Sequence, residues 1–68
     1  MRISARNQLK GTVSGIRRGE AIANVELEVA GQRLVASITV DAVDELGLDT
    51  GGEVTAVIKA SDVMLATD

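Results

Sequence analysis

Ala23-Asn24-Val25-Glu26-Leu27-Glu28-Val29 places an apolar side chain at every odd position and a polar one at every even position. A period of two marks a strand with one face buried and the other in water. Leu34, Ala36, Ile38 and Val40 continue the pattern, alternating with Val35, Ser37 and Thr39. Between the two runs lies Ala30-Gly31-Gln32-Arg33. A Gly followed by a polar residue at the centre of so short a connection suits a type II′ hairpin.

Working upstream, Leu9 to Ile16 has the β-branched content of a strand, with Gly11 and Gly15 inside it. Glycines within a strand predict a bulge or a sharp bend, as barrels need. Arg17-Arg18-Gly19-Glu20 reads as a hairpin turn, and Arg2 to Arg6 as a short extra strand or the start of this one. Downstream, Asp41 is the expected N-cap of a helix over Ala42–Leu46, and Gly47 its stop. Gly51-Gly52 is a turn, Val54 to Lys59 a strand, and Val63 to Ala66 a last short strand. There is no Pro, linker, repeat or low-complexity stretch. The expectation is a single all-β domain over residues 1–68. It is a small five-stranded barrel of the OB type, with one short helix plugging one end between the third and fourth strands. A fold of this kind leaves function open.

The 68 residues include no Phe, Tyr, Trp, Cys or His. The core must come from Val, Ile, Leu, Ala and two Met. A chain of this length is near the lower limit for burying a useful core. Disulfides and the usual zinc sites are excluded, so association with further copies is the support that remains. An obligate homo-oligomer is expected on that ground alone. The lack of Cys says nothing about redox compartment. No apolar run approaches the roughly 20 residues of a membrane span. No basic, apolar leader opens the chain, so a cytoplasmic protein without a membrane partner is expected. The start at Met1 and the end shortly after the last strand favour a free-standing protein.

The formal net charge of −3 argues against a general nucleic-acid binder, and the missing aromatics against single-strand stacking. Positive charge is nevertheless uneven. Arg2, Arg6, Lys10, Arg17 and Arg18 crowd the first 18 positions, leaving Arg33 and Lys59 elsewhere. Enzyme chemistry finds little support. Ser4, Ser14, Ser37 and Ser61 have no His partner, and no phosphate loop or dinucleotide fingerprint occurs. Asp41, Asp44, Glu45, Asp49 and Glu53 lack the spacing of an EF-hand, and helix capping with solubility accounts for them better.

An unprotonated oxyanion accepts hydrogen bonds only, so its site should present hydroxyls, backbone N–H groups, Arg and Lys. Ser4 and Arg6 are two apart and face one side of an extended segment. Thr39 ends a strand just before the helix, whose first free N–H groups would point nearby. Lys59 ends another strand and precedes Ala60 and Ser61. These donors could converge within one chain or across an interface. Arg6 and Lys59 could equally pair with surface carboxylates, and Ser4 and Thr39 could be ordinary strand residues.

Ser4-Ala5-Arg6-Asn7-Gln8-Leu9-Lys10-Gly11 resembles the opening signature of the molybdate-binding Mop domain family, whose single-domain members are called molbindins. The resemblance runs through Glu45-Leu46-Gly47-Leu48, then Gly51 to Ala60 (GGEVTAVIKA), and Asp62-Val63-Met64. Either end alone would be weak; SARN with a downstream VIKA is specific. The resemblance implies an OB-type barrel that exchanges an N-terminal strand between subunits. It implies a homohexamer arranged as a trimer of dimers, with molybdate or tungstate bound between subunits and no catalytic cofactor. By the same resemblance Ser4, Arg6, Lys59 and Ala60 contact the anion, with Thr39 as the hydroxyl near the helix start. Asn7 would order the segment carrying Arg6. Many members have a Ser three residues after the position of Thr39, where this chain has Ala42. A side-chain donor is lost there, and the backbone N–H of Ala42 is expected to serve instead.

Such a donor-only pocket would suit molybdate, a tetrahedral dianion without a proton near neutral pH. Hydrogen phosphate would leave its proton unpaired, at about 1–3 kcal/mol if buried. Nothing in the set would transform the anion, and the resemblance to the Mop family implies a role in intracellular storage and molybdenum homeostasis. The alternatives are an OB-type protein-interaction module, or a regulatory or transporter-associated Mop domain separated from a longer chain.

Overall fold

The alternation around Val25 becomes the second strand of a four-stranded antiparallel sheet. A computed structural model describes residues 2–68, and Met1 lies outside the described residues. The elements are β1 (Asn7–Arg18), β2 (Ile22–Val29), β3 (Gln32–Thr39), α1 (Val40–Leu46), β4 (Glu53–Ile58) and a 3-10 turn, Ala60–Asp62. The strand order is β3-β2-β1-β4. Ala23, Val25 and Leu27 are buried, as their odd-position pattern requires, and Val13 from β1 and Val43 from α1 join them.

β1 is the longest strand and serves two partners. Its first half, Asn7–Thr12, pairs with Ile58–Glu53, and its second half, Thr12–Arg18, pairs with Glu28–Ala23. The register slips between Val13 and Gly15, leaving Ser14 as the extra residue of a bulge. A bulge bends its strand and increases the local twist, which lets one strand belong to two ladders. Gly11 is needed for a different reason. A β carbon there would stand 2.7 Å from the carbonyl oxygen of Glu28 and 2.8 Å from Val29 Cγ2.

The structure corrects several sequence expectations. The β2–β3 hairpin pairs Val29 with Gln32, so its loop is Ala30-Gly31. Both loop residues have positive φ, 51° and 80°, which makes the turn type I′ rather than II′. The helix begins at Val40 directly after the strand, and its N-cap is Thr39, not Asp41. Among the described residues there are four strands, not five. Arg2 to Arg6 is not a strand, because its carbonyls are taken by side chains rather than by a neighbouring strand. Val63 to Ala66 follows the 3-10 turn without a ladder partner, the Val63 N–H turning back to the Ala60 carbonyl, so it forms no strand. The mostly-β architecture with one short helix stands.

Closure is incomplete within one copy. β3 and β4 are the two edges of the sheet, and an apolar groove of about 210 Å³ opens beside them. Leu34 and Ile38 of β3, Val54 and Val57 of β4, and Leu46 of α1 line it. Met64 and Leu65 stand 93% and 92% exposed. The radius of gyration is 12.6 Å. A closed domain of this length would have about 11 Å.

Candidate functional site

The β1–β4 register decides which candidate donors meet. Asn7 lies opposite Ile58, so Arg6, just before it, and Lys59, just after Ile58, leave the sheet at one edge. Lys59 is extended, with φ −63° and ψ 134°, and Ala60 begins the 3-10 turn behind it. Ser4 lies two residues before Arg6, and both are exposed. One end of β1 therefore gathers Ser4, Arg6, Lys59 and Ala60.

Thr39 and Ala42 are elsewhere. Thr39 pairs with Ile22, and Ala23 pairs with Arg18 at the far end of β1. Strand register thus puts Arg6 and Lys59 at one end of β1, with Ser4 and Ala60 next to them in sequence, and Thr39 and Ala42 at the other end. At that second end the helix start is already satisfied. The N–H of Ala42 donates to Thr39 Oγ1 at 3.0 Å, and the N–H of Val40 donates to the Ala21 carbonyl at 2.9 Å. The Ala42 N–H, expected to serve an anion, is engaged by this cap. The hydroxyl proton of Thr39 is what this end offers, since its oxygen acts as acceptor toward Ala42.

Charge separates the two kinds of cation on the surface. Arg18 pairs with Asp44 at 3.0 Å, and Arg33 pairs with Glu26. Among the described residues neither Arg6 nor Lys59 forms a salt bridge. The Arg6 guanidinium instead donates to two carbonyls of its own segment, from Nε to Ser4 at 2.9 Å and from Nη2 to Ile3 at 3.2 Å. Three of its five N–H groups remain. A surface cleft of about 280 Å³ has Arg17 and Arg33 in its wall. It also has the Glu26 carboxylate, held below the ordinary carboxylate range by a hydrogen bond from Arg33 and by that residue's charge. An ionised carboxylate there repels an oxyanion. Among the described residues no three acidic, His or Cys side chains converge as a metal cluster.

Sequence reasoning missed Gln8. Its Nε2 donates to the Ala5 carbonyl at 3.1 Å in a partly buried position. Asn7, the residue expected to order this segment, is not the one that makes that bond. The separation of three residues was the only available signal.

A TOBE domain model matches residues 3–65 of the chain. Molybdenum-pterin-binding protein 1 of Clostridium pasteurianum is 54% identical over 66 residues, covering 96% of this chain and 97% of that protein. A molybdate-binding protein from Sporomusa ovata superposes with a TM-score of 0.94 at 40% identity, over 98% of this chain and all of that one. The cytoplasmic molybdate-binding protein ModG superposes at 0.84 with 39% identity, over 96% of this chain. The chain spans only 53% of ModG. The family match covers nearly the whole chain, and the Clostridium relative is matched over nearly its full length. On both grounds the chain belongs to the TOBE-domain family and, within it, to the molybdenum-pterin-binding Mop proteins, the molbindins.

Proposed function

We propose that this protein binds molybdate, and tungstate by the same chemistry, at sites completed between copies of itself. The observation that supports the reading is that Arg6 and Lys59 follow the last β1–β4 pair, Asn7 with Ile58, at one end of the ladder, neither with a carboxylate partner among the described residues. Two cations balance a dianion, and hydroxyl and N–H donors fill its remaining lone pairs. Thr39 joins the same site through a second copy, its hydroxyl oriented by the Ala42 N–H, because register keeps both residues at the other end of β1. The names of the relatives support molybdenum as the cargo. A chain without aromatic residues offers a pterin ring no stacking surface, which favours the bare oxyanion.

The proposed job is to hold and release the anion in the cytoplasm, without chemical turnover, as storage and homeostasis. Among the described residues no helix is long and apolar enough to cross a membrane. The assembly is a homohexamer built as a trimer of dimers. Its need for partners is supported by the open groove and by the exposed Met64 and Leu65.

Equilibrium dialysis with molybdate tests the site. Arg6→Ala with Lys59→Ala should abolish binding, and Thr39→Ala should weaken it about tenfold, as for a lost hydrogen bond to a charged group. Mixing the two variants under conditions that exchange subunits should restore part of the capacity, because some interfaces then carry both intact halves. Full binding by the double variant would overturn the site. Mixing without recovery would place both halves in one chain.

A further inference from the structure

We infer that Gln8 is a positioning residue that pre-forms the anion-binding segment, an inference that rests on the oxyanion reading above. Three consecutive backbone carbonyls precede β1, those of Ile3, Ser4 and Ala5. Each accepts a side-chain hydrogen bond: Ile3 from Arg6 Nη2, Ser4 from Arg6 Nε, and Ala5 from Gln8 Nε2.

This matters for an anion because a carbonyl oxygen facing an oxyanion is repulsive. Occupying all three carbonyls removes them as competing acceptors and leaves donors exposed, namely the Ser4 hydroxyl and the remaining Arg6 N–H groups. Gln8 differs from Arg6 in where it stands. It lies within β1, opposite Val57 of β4, so its backbone is fixed by the ladder. Its side chain reaches back three residues to the Ala5 carbonyl. Ala5 is itself buried, 9% exposed, between exposed Ser4 and Arg6. The segment is thus pinned at its middle, by Ala5's side chain from below and by Gln8 at its carbonyl. A site held before the anion arrives loses less ordering entropy on binding.

The test uses the full chain with Gln8→Met, which keeps length and removes the donor, and Gln8→Glu, which replaces the donor with an acceptor. Molybdate affinity by calorimetry should fall about fivefold in Gln8→Met, as for one lost neutral hydrogen bond. The fall should be larger in Gln8→Glu, which adds negative charge. Thermal midpoint and oligomeric state should stay those of the unmodified chain. Proton NMR of the anion-free protein supplies the readout that a merely structural role would not move. The Arg6 Nε–H should be protected from solvent exchange in the unmodified chain and lose that protection in both variants. Unchanged affinity in Gln8→Met beside a clear loss in Arg6→Ala would overturn the role of Gln8 and leave the oxyanion site standing. Unchanged Arg6 Nε–H protection in the variants would overturn it as well. No binding by the unmodified chain would sink the oxyanion reading itself.

Discussion

Ala30 holds φ at 51°, a left-handed conformation that costs an L-residue about 1–2 kcal/mol. Asn tolerates it better, and Asn-Gly is the favoured pair of a type I′ turn. Ala30→Asn should therefore raise stability by about 1 kcal/mol, seen as a higher thermal midpoint. Gly11→Ala should act in the other direction. Its new β carbon meets backbone at 2.7 Å, and the overpacking should cost about 1–3 kcal/mol on the same measurement. Glu26 supplies a prediction in acid. Its pKa lies below the ordinary value, first through the hydrogen bond from Arg33 and then through that residue's charge, with a smaller pull from Arg17. A lowered folded pKa stabilises the fold above the unfolded value, and that contribution disappears as pH falls through the folded one. Arg33→Met should move the Glu26 carboxyl resonance to a higher titration midpoint in NMR.

Thr39 sits where a strand becomes a helix and does two jobs there. Its oxygen caps α1 through the Ala42 N–H, and its hydroxyl proton is the donor proposed for the anion. Thr39→Ala should cost about 1 kcal/mol of stability by melting of the cap, in addition to the loss of affinity. Thr39→Ser should spare both. The same junction shows what local sequence can and cannot convey. The alternation of β2 and β3, the bulge in β1 and the Gly47 stop were all legible, because period and φ preference are local properties. The cap was not. Thr39 and Asp41 are both good caps, and the choice falls to Thr39 because the Val40 N–H is held by Ala21 across the sheet. The turn type escaped for a similar reason, since the Val29–Gln32 pairing sets the loop at Ala30-Gly31. Arg2 to Arg6 read as a strand by composition, yet side-chain donors from Arg6 and Gln8 claim its carbonyls.

Across the whole molecule, the buried apolar set among the described residues is Ala5, Val13, Ala23, Val25, Leu27 and Val43. So small a core, with an open groove beside the edge strands, supports the expectation of partners drawn from length and composition. Met64→Asp with Leu65→Asp should dissociate the proposed homo-oligomer in sedimentation velocity. The residue types of the proposed site were read from the SARN and VIKA segments, while the lack of a carboxylate partner on Arg6 and Lys59 needed the structure. Their division was not, because only strand register shows that Arg6 and Lys59 share one end of β1 while Thr39 stands at the other. The most direct test of molybdate binding is calorimetric titration of the anion-free protein with molybdate, followed by sulfate and phosphate. The account predicts saturable binding of molybdate and far weaker binding of phosphate, whose proton a donor-only site leaves unpaired. Absence of any molybdate heat at two temperatures, from the folded protein, would contradict it.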